Sequence, residues 1–105
     1  MNEYQEDKIK IAPSWWVYLI RTQQNSLYCG VTTNIERRFH EHQFTAKGAK
    51  YLKGKGPLQL AWYSEIGDKR CAMQYEYRIK KLSKSHKEQL VEGIKTLDML
   101  IPNMD

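Results

Sequence analysis

The sequence predicts an α+β domain, a small three-stranded antiparallel sheet flanked by helices. Two kinds of pattern predict it. Two short aromatic and β-branched runs flank a turn-forming segment, and later an apolar run alternates with a period of two. Between and after these runs, apolar residues recur three and four positions apart, as on helices that bury one face.

Trp15-Trp16-Val17-Tyr18-Leu19-Ile20 reads as a buried strand and Leu27-Tyr28-Cys29-Gly30-Val31 as its hairpin partner. The segment from Thr22 to Ser26 makes the turn, with Asn25 best suited to a positive φ. Thr32 and Thr33 then offer an N-cap, with Glu36 three residues after Thr33 as in a capping box. Ile35, Phe39 and His42 share one face of the helix that follows, and Arg38 borders that face. Ala46 to Leu52 is expected to form a short helix, ended by Lys53-Gly54-Lys55-Gly56-Pro57. Leu58, Leu60 and Trp62 alternate with Gln59, Ala61 and Tyr63, which predicts the third strand. Asp68 can cap a helix with Ala72, Tyr75, Ile79 and Leu82 as its core stripe and Glu76 beside that stripe. Ser85 with Glu88 predicts a further cap, opening a last helix that runs to about Glu92. The expected organisation is a flexible lead over 1–13, a single domain over 14–93 and a tail over 94–105.

At 105 residues and 41% hydrophobic, the chain supports one domain with a small core. Its longest apolar run, Trp15 to Ile20, is too short to cross a bilayer. Met1 to Asp7 is polar and acidic, unlike a secretory leader, so a cytoplasmic location is expected, with no membrane partner. Cys29 and Cys71 are expected to be reduced, buried thiols. The net charge of +5 is unevenly spread: Lys8 to Lys87 holds 16 basic residues against 5 acidic ones, a net of +11. A body this basic points to a polyanionic partner, of which nucleic acid is the commonest.

Three features exceed what a plain scaffold needs, although each also has a structural reading. Glu76 beside an apolar stripe is either ion-paired or a ligand for Mg²⁺, which keeps its own waters and needs few carboxylates. Tyr18 and Tyr28 are ordinary strand aromatics, or hydroxyls that the hairpin turns into a cleft. Arg38, one turn before His42, either snorkels or presents a guanidinium to phosphate oxygens.

Together these spacings resemble the GIY-YIG nucleases. Trp16-Val17-Tyr18 stands at the first short motif and Tyr28-Cys29-Gly30 at the second. Gly30 to His42 is similar to the strand-to-helix segment, with Arg38 at the catalytic arginine and His42 at the position four further on. Glu76 matches the metal-binding glutamate, and the likeness runs from about Trp15 to Leu90. Lys47-Gly48-Ala49-Lys50-Tyr51-Leu52 and Tyr77-Arg78-Ile79-Lys80-Lys81-Leu82 resemble the small stand-alone bacterial branch. Two departures stand out: Trp16 replaces a Gly and Cys29 an Ile. No match to the asparagine that many members carry after the Glu helix is found.

The resemblance implies an endonuclease that hydrolyses phosphodiester bonds in nucleic acid, DNA in the first instance, in repair or recombination. It implies one Mg²⁺ or Mn²⁺ ion on Glu76, no small-molecule cofactor, Arg38 on the phosphate, and Tyr28 taking a proton from water with Tyr18 beside it and His42 as a relay. Free tyrosine titrates near ~10, so a tyrosine base implies a rate that climbs between about pH 7 and 9. Lys47, Lys50, Lys53, Lys55, Lys80, Lys81, Lys84 and Lys87 are candidates for a backbone track. They fit a non-catalytic nucleic-acid-binding module equally well. A zinc site from His40, His42, His86, Cys29 and Cys71 lacks paired ligand spacing, and a Cys29 nucleophile lacks a flanking base.

Overall fold

A computed structural model describes residues 12–102. Strands β1 (Trp15–Arg21) and β2 (Leu27–Thr32) pair antiparallel. Asn25 takes φ 67° in the turn between them, a conformation its short polar side chain tolerates. Helix α1 (Ile35–Phe44), a 3-10 turn at Lys50–Leu52 and strand β3 (Gln59–Gly67) follow. Helices α2 (Lys69–Lys80), α3 (Lys84–Glu92) and the short α4 (Leu97–Leu100) complete the described chain. β3 returns to pair antiparallel with β1, which gives the order β2-β1-β3 and the expected three-stranded α+β architecture.

The central strand explains its own sequence. β1 is covered on both faces, so it reads as an unbroken apolar run and not as an alternation. On one face Val17 and Leu19 pack with Cys29, Ile79, Leu90 and Ile101, which ties down α2, α3 and the chain after α4. On the other, Tyr18 and Ile20 pack with Leu52 and Leu58, joined by Tyr28, Ile35 and Phe39. The stripe expected on α2 is present: Ala72 and Ile79 are buried, and Tyr75 and Leu82 pack partly buried against the first cluster.

Several local expectations need correction. α1 is capped by Asn34, whose Oδ1 accepts from the Arg37 amide at 3.0 Å, while Thr32 Oγ1 accepts from the Asn34 amide at 3.1 Å. The cap thus falls one residue after Thr33, because an Asx side chain reaches the first free amides well. α3 starts at a cap on Ser83, not Ser85, and Glu88 is used elsewhere. The expected helix over Ala46 to Leu52 contracts to the 3-10 turn. In β3 a register shift opposite Leu19 and Ile20 sends Trp62 to the first cluster and Leu60 to the second, so their alternation does not mark one face. Cys71 is half-exposed, whereas Cys29 is buried. Asp68 caps α2 as expected, accepting from the Cys71 amide at 2.8 Å. Residues 1–11 of the anticipated lead lie outside the described residues. No helix among the described residues is long and apolar enough to cross a membrane.

Candidate active site

The hairpin register sets the site. Tyr18 stands opposite Gly30 and Ile20 opposite Tyr28, so both tyrosines lie on the sheet face that α1 covers. Gly30 has no side chain to keep Tyr18 away. A Cβ there would sit 2.6 Å from Tyr18 Cζ, so the phenol leans across Gly30 over the edge strand. Its hydroxyl meets His42 Nε2 at 2.8 Å in a buried hydrogen bond.

A second bond decides the direction of the first. The Ala49 amide donates to His42 Nδ1 at 3.0 Å. In a neutral imidazole with Nδ1 accepting, Nε2 carries the proton, so His42 donates to Tyr18. Burial, then the nearby Arg38 charge, pulls His42 down to about 4, which keeps that neutral form. The tight approach of the loop to α1 has its own signature at Gly48, where a Cβ would stand 2.7 Å from His42 Cα. With both ring nitrogens engaged, the imidazole is held in one orientation between the loop and Tyr18. Burial, then the neighbouring Tyr28, pushes the Tyr18 phenol well above the ordinary tyrosine range. Tyr18 therefore stays protonated, and with its oxygen accepting from His42 its own O–H is available as a donor.

Tyr28 completes the aromatic array. Its ring meets His42 edge-on at 5.7 Å and stacks on Tyr51 at 5.8 Å. Lys55 Nζ lies 4.0 Å from the Tyr51 ring centre, and the Tyr51 hydroxyl donates to Ser26 Oγ at 3.3 Å. The Tyr28 hydroxyl has no hydrogen bond among the described residues. Arg38 flanks Tyr18 from α1, with its guanidinium donating to Glu41 Oε1 and to the Lys47 carbonyl, both at 2.9 Å. That contact holds the Glu41 carboxyl below its usual range.

Glu76 is placed differently from its expected companions. It is half-buried on α2, and its one ion pair among the described residues is with Lys80 Nζ at 3.4 Å. No hydrogen bond or ion pair among those residues joins it to Tyr18, Tyr28, Arg38 or His42. Its charge does reach the next residue after Tyr28: burial, then Glu76, pushes the Cys29 thiol up to about 12. Buried at 3% exposure and hydrogen-bonded to no base among the described residues, Cys29 has the surroundings of a structural thiol and not of a nucleophile. Among the described residues no three His, Cys, Asp or Glu side chains gather as a metal cluster, which removes the zinc reading. A groove of about 600 Å³ that Tyr18 and Tyr28 do not line lies between β3 and the α3–α4 end, where Trp62, Tyr75, Val91 and Leu97 line it.

The candidate lysines form two sets. Lys47, Lys50 and Lys53 are exposed around the 3-10 turn, with Lys55 over Tyr51. On α2 and after it, Lys80 pairs with Glu76, Lys81 covers Tyr77 at 4.5 Å, and Lys84 pairs with Glu88 at 2.6 Å; Lys87 is half-buried on α3. Reading the sequence missed Tyr51, Glu41 and the Gly48-Ala49 anchor of His42. Only the compact Gly-Ala-x-Tyr run hinted at a tight loop.

A hairpin with paired tyrosines, a glycine that admits one of them, and an arginine and histidine from the next helix define a GIY-YIG domain. The model of the GIY-YIG catalytic domain matches residues 14–89, and the chain belongs to that family. Within it, the chain is 50% identical over 96 residues to the UPF0213 protein VC_A0739 of Vibrio cholerae, covering 90% of this chain and 94% of that one. It is 48% identical over 90 residues to the UPF0213 protein YhbQ of Salmonella typhimurium, covering 86% and 89%. The solution structure of the protein EF2693 from E. faecalis superposes with a TM-score of 0.55 at 30% identity, over 82% of this chain and 91% of that chain.

Proposed function

We propose that the protein is a metal-dependent endonuclease that hydrolyses phosphodiester bonds, with DNA as its first-choice substrate and DNA repair or recombination as its setting. The observation that carries this reading is the buried chain of bonds from the Ala49 amide through His42 to the Tyr18 hydroxyl, with Arg38 beside it. A lysine track suffices to hold a nucleic-acid backbone. A phenol aligned by a neutral imidazole next to a guanidinium is an arrangement for a reacting phosphate.

In this reading a water attacks the phosphorus in line and the 3′-oxygen leaves. Arg38 donates to the non-bridging oxygens through guanidinium nitrogens that Glu41 and Lys47 do not use. The Tyr18 O–H, aimed by His42, hydrogen-bonds the water or the phosphate. Tyr28, in its phenolate form, takes the proton from the attacking water and returns to the phenol, and the Tyr51 stack keeps its ring in place. Glu76 is the residue to hold the metal, one Mg²⁺ or Mn²⁺. The donor set fits such an ion: a lone carboxylate suits Mg²⁺, which retains its waters, and the partner Lys80 is half-exposed and easily displaced. When bound, the ion supplies charge for the leaving oxygen and the phosphate. Lys47, Lys50, Lys53 and Lys55 extend the track on one side, and Lys80, Lys81, Lys84 and Lys87 on the other.

One observation favours a second reading, a nucleic-acid-binding module without catalysis: Glu76 is ion-paired and bonded to none of the other site residues. The test uses purified protein with labelled DNA duplexes, branched DNA, single strands and RNA, in Mg²⁺ or in EDTA, beside Glu76→Ala. The nuclease reading expects cutting in Mg²⁺ that vanishes in the variant while binding survives. Binding without cutting by the unaltered protein across the panel refutes it and leaves the module.

A further inference from the structure

We propose that Trp16 and Tyr63 form a pocket for an unpaired nucleobase that carries an amino group, adjoining the tyrosine site. This inference rests on the nucleic-acid reading above and names a substrate feature for it.

A groove of about 460 Å³ lies on the sheet surface, lined by Trp16, Thr33, Asn34, Ile35, Leu60 and Tyr63, with Glu36 at the same opening. Trp16 and Tyr63 meet at 5.8 Å with their planes tilted by 58°, and both line the groove. Tyr63 is 53% exposed, so its ring is open to a ligand from solvent. Tyr63 stands opposite Tyr18 in the β1–β3 register. Trp16 precedes Tyr18 by two residues on the same strand, so it faces the same way at a distance of about 7 Å along the sheet. The groove therefore lies on the same sheet face as the candidate site and next to it.

Its chemistry selects the occupant. Two aromatic faces offer stacking, which any base accepts and a sugar-phosphate chain does not. The Glu36 carboxylate repels phosphate but accepts from an exocyclic amino group. Asn34, which lines the groove, uses its Oδ1 on the Arg37 amide, which leaves its NH₂ as a donor. A donor and an acceptor side by side match the edge of adenine or cytosine, where a ring nitrogen accepts next to an amino group that donates. A base inside a duplex keeps its faces stacked and its edge paired, so only an unpaired or extruded base can enter.

The experiment compares three duplexes identical except at one position, which is fully paired, carries an unpaired adenine, or carries an abasic site. Affinity is read by fluorescence anisotropy on the full chain in EDTA, and cleavage in Mg²⁺ is read in parallel. The unpaired adenine should bind about tenfold tighter than the abasic duplex, the scale of one base stacked on an aromatic. Tyr63→Ala, at an exposed position, should abolish that preference while leaving abasic affinity unchanged. Trp16→Phe should weaken it while thermal unfolding shows the fold intact. Equal binding of the adenine and abasic duplexes, or a preference that survives Tyr63→Ala, overturns the pocket. Cleavage without base preference sinks the pocket alone, and base preference without cleavage sinks the nuclease reading alone.

Discussion

Replacing Gly30 with Ala sets two physical effects against each other with opposite signs. Gly30 does not have a positive φ, so its backbone accepts any residue. On backbone entropy alone, Ala in a strand should stabilise the fold by about 0.5–1 kcal/mol. The structure predicts the reverse, because the new Cβ would lie 2.6 Å from Tyr18 Cζ and 3.1 Å from Cε1. Tyr18 is only 3% exposed and cannot swing into solvent without leaving His42. Overpacking of this kind costs about 1–3 kcal/mol. Losing the buried bond to His42 adds about 1–2 kcal/mol, because the imidazole N–H is left without a partner. Net of the backbone gain, the loss should be about 1–4.5 kcal/mol, or a fall in Tm of roughly 4–35 °C for a domain of this size. Thermal unfolding followed by circular dichroism measures it. In a Tyr18→Phe background the Gly30→Ala cost should shrink by about 1 kcal/mol, because the hydroxyl bond is already gone. A Gly30→Ala protein that melts within 2 °C of the parent, or above it, on the roughly 4–8 °C per kcal/mol scale, would refute the close-approach argument.

Other consequences follow from the same contacts. His42 is held neutral down to about 4, so its ring protons in an NMR titration should show no transition near the ordinary histidine value of about 6.5. Because its folded value is depressed, the unfolded chain binds that proton first; the associated stability is full above pH ~6.5 and is lost as pH falls toward 4. His42→Gln should flatten that slope in a pH series of Tm. Glu88 is held down to about 2 by hydrogen bonds from Arg21 and then from Lys84, so its contribution persists above the unfolded carboxyl range of about 4.3 and is lost as pH falls toward 2. Arg21 grips Glu88 through two bonds of 2.7 and 2.8 Å, joining the end of β1 to α3. Glu88→Ala should therefore cost about 1–2 kcal/mol in urea unfolding; a change below a few tenths would show the pair to be ornamental. On the proposed nuclease reading, Arg38→Lys keeps the charge but loses the planar fork, and cleavage should fall about 100-fold with binding little changed, as gel-based rate and anisotropy measurements would show.

Local chemistry determined much of this protein before any coordinates. An unbroken apolar run foretold a central strand because both faces of β1 are covered, and Asn25 foretold the hairpin turn because few residues tolerate its φ. The motif residues Tyr18, Tyr28, Arg38 and His42 were legible because a hairpin and the helix after it are close along the chain. Tertiary structure alone decided the rest. The tautomer of His42 depends on the amide of Ala49, seven residues away on a loop whose approach rests on Gly48. The separation of Leu60 from Trp62 depends on a register shift, which a period of two cannot report. Glu76 pairs with Lys80 four residues on along the same helix, a spacing that sequence alone reports, but how that helix sits against the hairpin depends on docking of a distant part of the chain. Side-chain patterns encode which face is dry; which polar groups meet is settled only when separate elements dock.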